Sequence, residues 1–306
     1  MAYAATARCS TRVGVCHPCY LRNMAGITTP RSNDARLVCK VRAQVKANWM
    51  VFRVAWPWFV VALLLLLMHG WAVGLVSLLE FRYNLLGKQS DVLVDFGYML
   101  VPAIEVYPAG GICTWLLILL TTWSVGSLTV ITITRPRPGI TIIGILWRTV
   151  FVCVLGFTLR SISFLVTLLP TPWPECQEYF MKPLTVSDVL SLIHSTSGCG
   201  DLIFSGHTLC GMACLLAVAH YSTNWIINIP GWVLFLGEIV AILAERAHYS
   251  VDIVVALFTT PMLWICFYHF FPKDPSTRIA FWKDQPRYED YDRDASITAE
   301  DSHGAC

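Results

Sequence analysis

Charge is what this chain has least of: 14% of its 306 residues are Asp, Glu, Lys or Arg, while 56% are hydrophobic. Soluble domains carry about 25% charged and about 45–50% apolar residues. Too few charges are present to coat the core that this composition would bury, so a water-soluble globule is excluded. Lipid needs no polar coat and is the solvent that fits. The chain also lacks an HExxH pair, a Walker loop and a carboxylate cluster, the patterns that hold metals and nucleotides. It has no internal repeat and no long low-complexity tract. No compact apolar run precedes residue 54, so no cleavable signal peptide is expected. A net charge of +2 says little about partners, and no nucleic acid is expected among them.

What is present is a series of apolar stretches. About 20 mainly apolar residues cross a hydrocarbon core of about 30 Å. Six stretches are candidates: Val54–Leu79, Ile112–Thr134, Thr141–Leu169 (interrupted by Arg148 and Arg160), Ser205–His220, Ile229–Ala247 and Ser250–Phe271. The fourth and fifth are short, which leaves five or seven spans as alternatives. The expected fold class is all-α, a multi-pass membrane helical bundle of about six transmembrane helices. Nine Lys or Arg lie in the first 53 residues, Arg135 and Arg137 follow the second stretch, and five more follow Phe271. The loops 80–111 and 170–203 hold only Arg82, Lys88 and Lys182. By the positive-inside rule both termini are cytosolic and those two loops face the lumen or exterior. Residues 1–50 are expected to be a disordered basic tail, 51–272 a six-span membrane domain, and 273–306 a second cytosolic tail. Trp56, Trp58 and Trp71 read as span-flanking anchors.

Of twelve cysteines, Cys153, Cys210, Cys214 and Cys266 fall inside spans and read as small hydrophobes. CHPC (16–19) with Cys9 and Cys39 is only a loose metal-ligand pattern, and a disordered tail is the simpler reading. Cys176 and Cys199 share one lumenal loop, where a disulfide is an option that sequence cannot decide.

Two short segments gather ionisable groups at one membrane face: Asp201, Ser205 and His207 in CGDLIFSGHT (199–208), and Glu245, Arg246, His248 and Asp252 just before the last span. A charge near the bilayer centre costs about 2.5–3.5 kcal/mol on insertion scales, so such groups usually face a polar cavity. The i, i+4 spacing of His248 and Asp252 predicts a pair on one helical face. A carboxylate on one imidazole nitrogen fixes the tautomer and leaves the other nitrogen as nucleophile or base. The bland alternative is a helix-stabilising pair. Ser205-Gly206-His207 opens a predicted helix, with Ser as N-cap and Gly admitting close approach of a ligand. The N–H groups and dipole there favour an anion such as phosphate. His207 would sit beside that anion to move a proton. Together these features point to phosphoryl transfer at a membrane surface, with no metal and no cofactor expected.

CGDLIFSGHT and HYSVDIVVA (248–256) resemble the two C-terminal signature motifs of the sphingomyelin synthase family, the ceramide phosphotransferases that include inositol-phosphorylceramide synthases. LRSISFLVTLLP (159–170) resembles the family's upstream motif, although Arg148 is single and Phe157 stands where that motif has Tyr. The family's early Leu-Pro-Asp motif is only echoed by VLVDFGYMLVP (92–102). The resemblance implies six spans with cytosolic termini and an active site on the lumenal or extracellular side. It implies transfer of a phospho-head group from a glycerophospholipid to the primary hydroxyl of ceramide, giving diacylglycerol as second product. The catalytic residues carried over are His207, His248 and Asp252. His248, oriented by Asp252, attacks phosphorus, and His207 protonates the leaving oxygen; direct attack with His248 as base is the alternative.

Ser205, Gly206, Asp201, Arg160, Arg246 and Tyr249 are the expected substrate-binding residues. Each has a bland counterpart: a loop-stabilising Asp201, a snorkelling Arg160, an Arg246 paired with Glu245, a Tyr249 in the interfacial belt. Glu238, inside the fifth stretch, has no partner evident in the sequence. Ceramide, the donor phospholipid and membrane lipids are the expected partners, with a homo-oligomer as an option. A Golgi or other endomembrane location, or the plasma membrane, follows from the family. Phosphocholine is the preferred head group, with phosphoinositol next and phosphoethanolamine as a further alternative.

Two rivals fit less well. Lipid phosphate phosphatases carry a Lys seven residues before an Arg-Pro and an Arg six residues before the second His; Leu128 and Ile242 stand at those places. A transporter or lipid-binding scaffold would need polar residues or broken helices near the bilayer midplane, and Glu238 is the one strong hint of that.

Overall fold

A computed structural model of the chain describes residues 32–85, 92–104, 111–134, 140–172, 185–190, 200–222 and 224–270. By compactness the chain divides into units 1–39 and 40–306. Of the first, only the helical backbone from Ser32 is described. Of the tail expected at 1–50, residues 1–31 lie outside the described residues, while 32–50 are helical and continuous with the first apolar stretch, a correction to the expected disorder there. The tail expected at 273–306, the CHPC segment, and Cys176 with Cys199 also lie outside the described residues.

Every regular element among the described residues is helical: α1 (Ser32–Leu85), α2 (Phe96–Leu100), α3 (Ile112–Thr134), α4 (Ile142–Val166), α5 (Val186–Leu190), α6 (Gly206–Tyr221), α7 (Trp225–Ala244) and α8 (Ser250–Phe270). All six expected stretches are therefore helices, in the all-α class read from composition. Their edges follow local chemistry. Thr141 caps α4 by accepting the Gly144 N–H, and Asn224 caps α7 by accepting from Ile226, which starts that helix before Ile229.

Among the described residues, five helices are long and apolar enough to cross a membrane: Gln44–Glu80 within α1, then α3, α4, α7 and α8. At 16 residues α6 is about 24 Å long, short of a hydrocarbon core of about 30 Å. Its position explains how a short helix is kept: α6 packs against α3, α4, α7 and α8. Gly156 and Gly211 let these backbones close up, since a Cβ on Gly156 would meet Leu209 at 2.5 Å and one on Gly211 would meet Glu238 at 2.6 Å. Lipid gives helices no hydrophobic drive to associate, so close packing over small residues has to hold them together.

One end of the bundle is a buried, largely aromatic core that includes Trp147, Val218, Tyr221, Trp264 and Phe267. At the other end Phe204, Leu209 and Ala256 form the floor beneath the start of α6. There the N-termini of α3, α6 and α8 meet the C-terminal parts of α4 and α7.

Candidate active site

The last span begins at Ser250, so His248 lies in the turn before α8 and not on its face, as the spacing had suggested. The pair forms nonetheless, with Nδ1 of His248 3.1 Å from Oδ2 of Asp252. Asp252 sits in the first helical turn, and its carboxylate reaches back to accept the Tyr249 N–H at 3.1 Å, as an acidic residue does in half of a capping box. That return brings His248 alongside. Oδ1 of Asp252 accepts the Ile203 N–H at 2.9 Å, and its carbonyl accepts the Ser205 N–H at 3.1 Å. Asp252 is fully buried, where a carboxylate without donors would be strongly unfavourable. With Nδ1 engaged by Asp252, the lone pair on Nε2 of His248 is the one left for chemistry.

Ile203 adopts a left-handed φ of 75°. A β-branched residue there is strained, at a cost of order 1–3 kcal/mol. The strained turn aims the Ile203 amide at Asp252 and sets Asp201 and Ser205 on either side. Ser205 caps α6, its hydroxyl accepting from the Thr208 N–H at 3.3 Å and the Thr208 hydroxyl at 3.0 Å. The hydroxyl of this expected substrate contact is thus engaged in starting the helix. Gly206 is needed for space, because a Cβ would run into Nη1 of Arg160 and meet the Phe157 ring at 3.2 Å.

Arg160 comes from α4. Its Nη2 donates to the Asp201 carboxylate in an ion pair and to the Asp201 carbonyl at 2.8 Å. Burial pushes the Asp201 carboxyl upward, against the pull of Arg160 and His248. Nε of Arg160 is buried and has no acceptor among the described residues. A guanidinium N–H without a partner, beside a helix N-terminus, is suited to a phosphate oxygen.

His207 lies in the first turn of α6, within electrostatic reach of His248 and Arg160. Its Nε2 is 3.4 Å from Oγ1 of Thr114 and 3.9 Å from Sγ of Cys113, both on α3. The structure therefore brings together Arg160, Asp201, Ser205, Gly206, His207, His248 and Asp252. Glu245 and Arg246 part company. Glu245 caps α3, its Oε1 accepting the N–H groups of Ile112 and, at 3.3 Å, Cys113. Arg246, at φ 55°, stacks 4.0 Å from the Tyr98 ring centroid and donates to the carbonyls of Tyr98 and Val101 at 3.2 and 3.1 Å.

Those contacts lead to a segment that sequence reading undervalued, residues 93–101. Asp95 accepts the Ser250 N–H at 2.7 Å, the Ser250 hydroxyl at 2.6 Å and the Tyr98 N–H at 3.2 Å. Burial acts to raise the Asp95 carboxyl, but the donors from Ser250, Tyr98 and Gly97 outweigh it and hold it below its ordinary range. The Tyr98 hydroxyl donates to the His248 carbonyl at 2.9 Å. Tyr249, buried inside the protein, donates to Pro170 O at 3.0 Å and accepts from Leu93 N at 3.2 Å. This short segment clasps the turn that carries His248. The one sequence signal for it is Asp95 placed as N-cap before Phe-Gly-Tyr.

Residues 198–270, which hold His207, His248 and Asp252, match the family described as PAP2 superfamily C-terminal. The phosphatidylinositol:ceramide inositolphosphotransferase of Oryza sativa subsp. indica is 28% identical over 236 residues, 73% of this chain and 68% of the relative's length. Its counterpart numbered 3 in Arabidopsis thaliana is 34% identical over 128 residues, 39% of this chain and 44% of its own. Phosphatidylcholine:ceramide cholinephosphotransferase 1 of Homo sapiens is 33% identical over 137 residues, 39% of this chain and 32% of its own. The chain is a homologue of ceramide phosphotransferases. The stretch 198–270 holds the two histidines and Asp252, while Arg160, Thr114 and Asp95 reach the same place from N-terminal elements.

Proposed function

We propose that the protein transfers phosphoinositol from phosphatidylinositol to the primary hydroxyl of ceramide, releasing diacylglycerol. The observation that supports inositol over choline is the reach of one alignment: the inositol-type relative of Oryza sativa aligns with 73% of this chain, whereas the inositol-type relative of Arabidopsis thaliana and the choline-type relative of Homo sapiens each align with 39%. Sequence motifs alone had leaned towards phosphocholine, because the phosphate chemistry they encode is common to all these head groups. Of the loops expected to discriminate head groups, 170–200 lies largely outside the described residues, and 80–111 lacks 86–91 and 105–110.

In this reading the phosphate sits between the start of α6 and Nε of Arg160. Nε2 of His248 attacks phosphorus, forming a P–N bond as the P–O bond to diacylglycerol breaks. His207 gives its proton to the departing oxygen. The ceramide oxygen then displaces His248 from phosphorus, and its proton returns to His207, so both residues end as they began. Asp252 holds the imidazole of His248 in one tautomer throughout. Water at about 55 M competes with ceramide for the intermediate, and the burial of His248 and Asp252 favours transfer over hydrolysis. The charge asymmetry of the loops supports a site on the lumenal or extracellular side of the membrane.

The test is purified protein in detergent with fluorescent ceramide, given phosphatidylinositol, phosphatidylcholine or phosphatidylethanolamine separately, with His248→Ala as control. A fluorescent inositol phosphorylceramide formed from phosphatidylinositol and absent in the variant is the expected result. Product from phosphatidylcholine instead would reassign the head group. Phosphate release from phosphatidic acid with no ceramide product would move the protein to the phosphatases.

A further inference from the structure

The sequence motifs account for what orients His248 but not for what orients His207. The structure does, through α3. Glu245 lies in the turn that leads from α7 to His248, and its buried carboxylate takes the N–H groups of Ile112 and Cys113 at the start of α3. A Cβ on Gly111 would run into that carboxylate, so the cap is close-fitting. An acceptor at a helix N-terminus satisfies orphan N–H groups and complements the dipole. One turn of α3 is thereby anchored to the segment carrying one histidine. From that same turn, Thr114 presents Oγ1 to Nε2 of the other histidine at 3.4 Å, with the Cys113 thiol at 3.9 Å.

We infer that Thr114 and Glu245 are positioning residues that hold Nε2 of His207 through the first turn of α3, leaving Nδ1 as the nitrogen that exchanges protons with substrate. The inference rests on His207 being the acid and base of the proposed transfer. The Thr hydroxyl is suited to the task because it both donates and accepts. It accepts from an Nε2–H, and this contact persists whether Nδ1 holds its proton or has given it to the leaving oxygen. Without it, neutral His207 is free to carry its proton on either nitrogen, and the ring is free to turn. Among the described residues, the charged or titratable groups facing His207 are the Arg160 guanidinium from α4, the His248 imidazole from the turn before α8, and the Cys113 thiol beside Thr114 on α3. Thr114 is therefore an uncharged anchor on the side of His207 away from Arg160 and His248.

Thr114→Val removes the hydroxyl and keeps the shape. The expected result is a fall in kcat of about 10–100-fold with KM for both lipids unchanged, less than the about 10²–10⁴-fold that acid–base catalysis as a whole contributes. The pH–kcat profile should shift on the limb set by His207, and Thr114→Ser should restore both. Nitrogen-15 NMR of histidine-labelled protein in detergent reads the ring directly, with His207→Ala assigning the resonance. Wild-type and Thr114→Ser protein should show the neutral ring protonated on Nε2, and Thr114→Val a mixture of tautomers. A Thr114→Val protein with wild-type kcat, pH profile and His207 resonance would overturn the inference. Because the NMR measurement needs no substrate, a wild-type protein with no transferase activity would sink the functional reading and leave this one to be judged on its own data.

Discussion

The backbone N–H of Ile203 donates to Oδ1 of Asp252 across 2.9 Å, while Oδ2 of the same carboxylate holds Nδ1 of His248. One buried side chain thus joins the turn before α6 to the turn before α8, and with them the two histidines. Asp252→Asn replaces one acceptor oxygen with a donor, so either Ile203 or the His248–Tyr249 side loses its partner. The expected outcome is a loss of kcat of about 10²–10⁴-fold, from a misoriented or wrongly protonated His248, with KM changed much less. A stability loss of about 1–3 kcal/mol, the cost of a buried donor left unpaired, should accompany it in thermal unfolding. An Asp252→Asn protein of normal kcat would mean that His248 does not depend on this carboxylate.

Gly206 and Arg160 should fail together. A methyl group on Gly206 meets Nη1 of Arg160 and the Phe157 ring, and overpacking of this kind costs about 1–3 kcal/mol. The guanidinium must then leave the start of α6. Gly206→Ala is expected to raise KM for the phospholipid donor by about tenfold or more, and Arg160→Lys to do the same, since Lys keeps the charge but loses the planar fork. The double variant should be little worse than either single one, because both act on one contact. Donor KM values for the three proteins make the comparison; full additivity would argue that the two residues act separately.

Much of this was legible in the sequence for a physical reason. Apolar length revealed the helices, since lipid imposes one length on nearly every span. Ser205, His207, His248 and Asp252 stood out because ionisable or capping residues at the mouth of an apolar segment have few structural excuses. Thr114, Glu245, Asp95 and Tyr98 were not legible in their roles. A Thr in an apolar helix and a Tyr near an interface are ordinary by composition, and their partners lie 93, 133, 155 and 150 residues away along the chain. Arg246 was expected at the substrate, with a pair to its neighbour Glu245 as the bland counterpart; that pair does not form, because the left-handed turn at Arg246 sends the two side chains to different helices.

Asp95 carries a pH prediction. Its carboxyl is held below the ordinary range by donors from Ser250, Tyr98 and Gly97. A folded-state value below the unfolded one contributes stability that is present above the unfolded pKa, about 3.9, and is lost as pH falls through the folded value. The wild-type protein should therefore be more stable than Asp95→Asn across neutral pH, with the difference closing only below about pH 4. Melting temperatures of the two proteins between pH 3 and pH 8 decide it. A gap that closes near pH 6 would assign the effect to a histidine instead.

Glu238 is the one fully buried carboxyl with both oxygens lacking a partner among the described residues, pressed between α7 and the backbone of α6 at Gly211. A polar group in this state opposes folding by about 1–3 kcal/mol on the scale of mutational data. It lies on the side of α6 away from the Arg160 cradle, since Gly206 faces α4 whereas Gly211 faces α7. Glu238→Met fills nearly the same volume with a flexible apolar chain. It should raise the melting temperature and leave kcat within about twofold, because no step of the transfer passes through this residue. If Glu238→Met were instead stable but inactive, and Glu238→Gln active, the hydrogen-bonding capacity of this side chain would have to be serving a ligand, and the bundle interior would need to open to admit it.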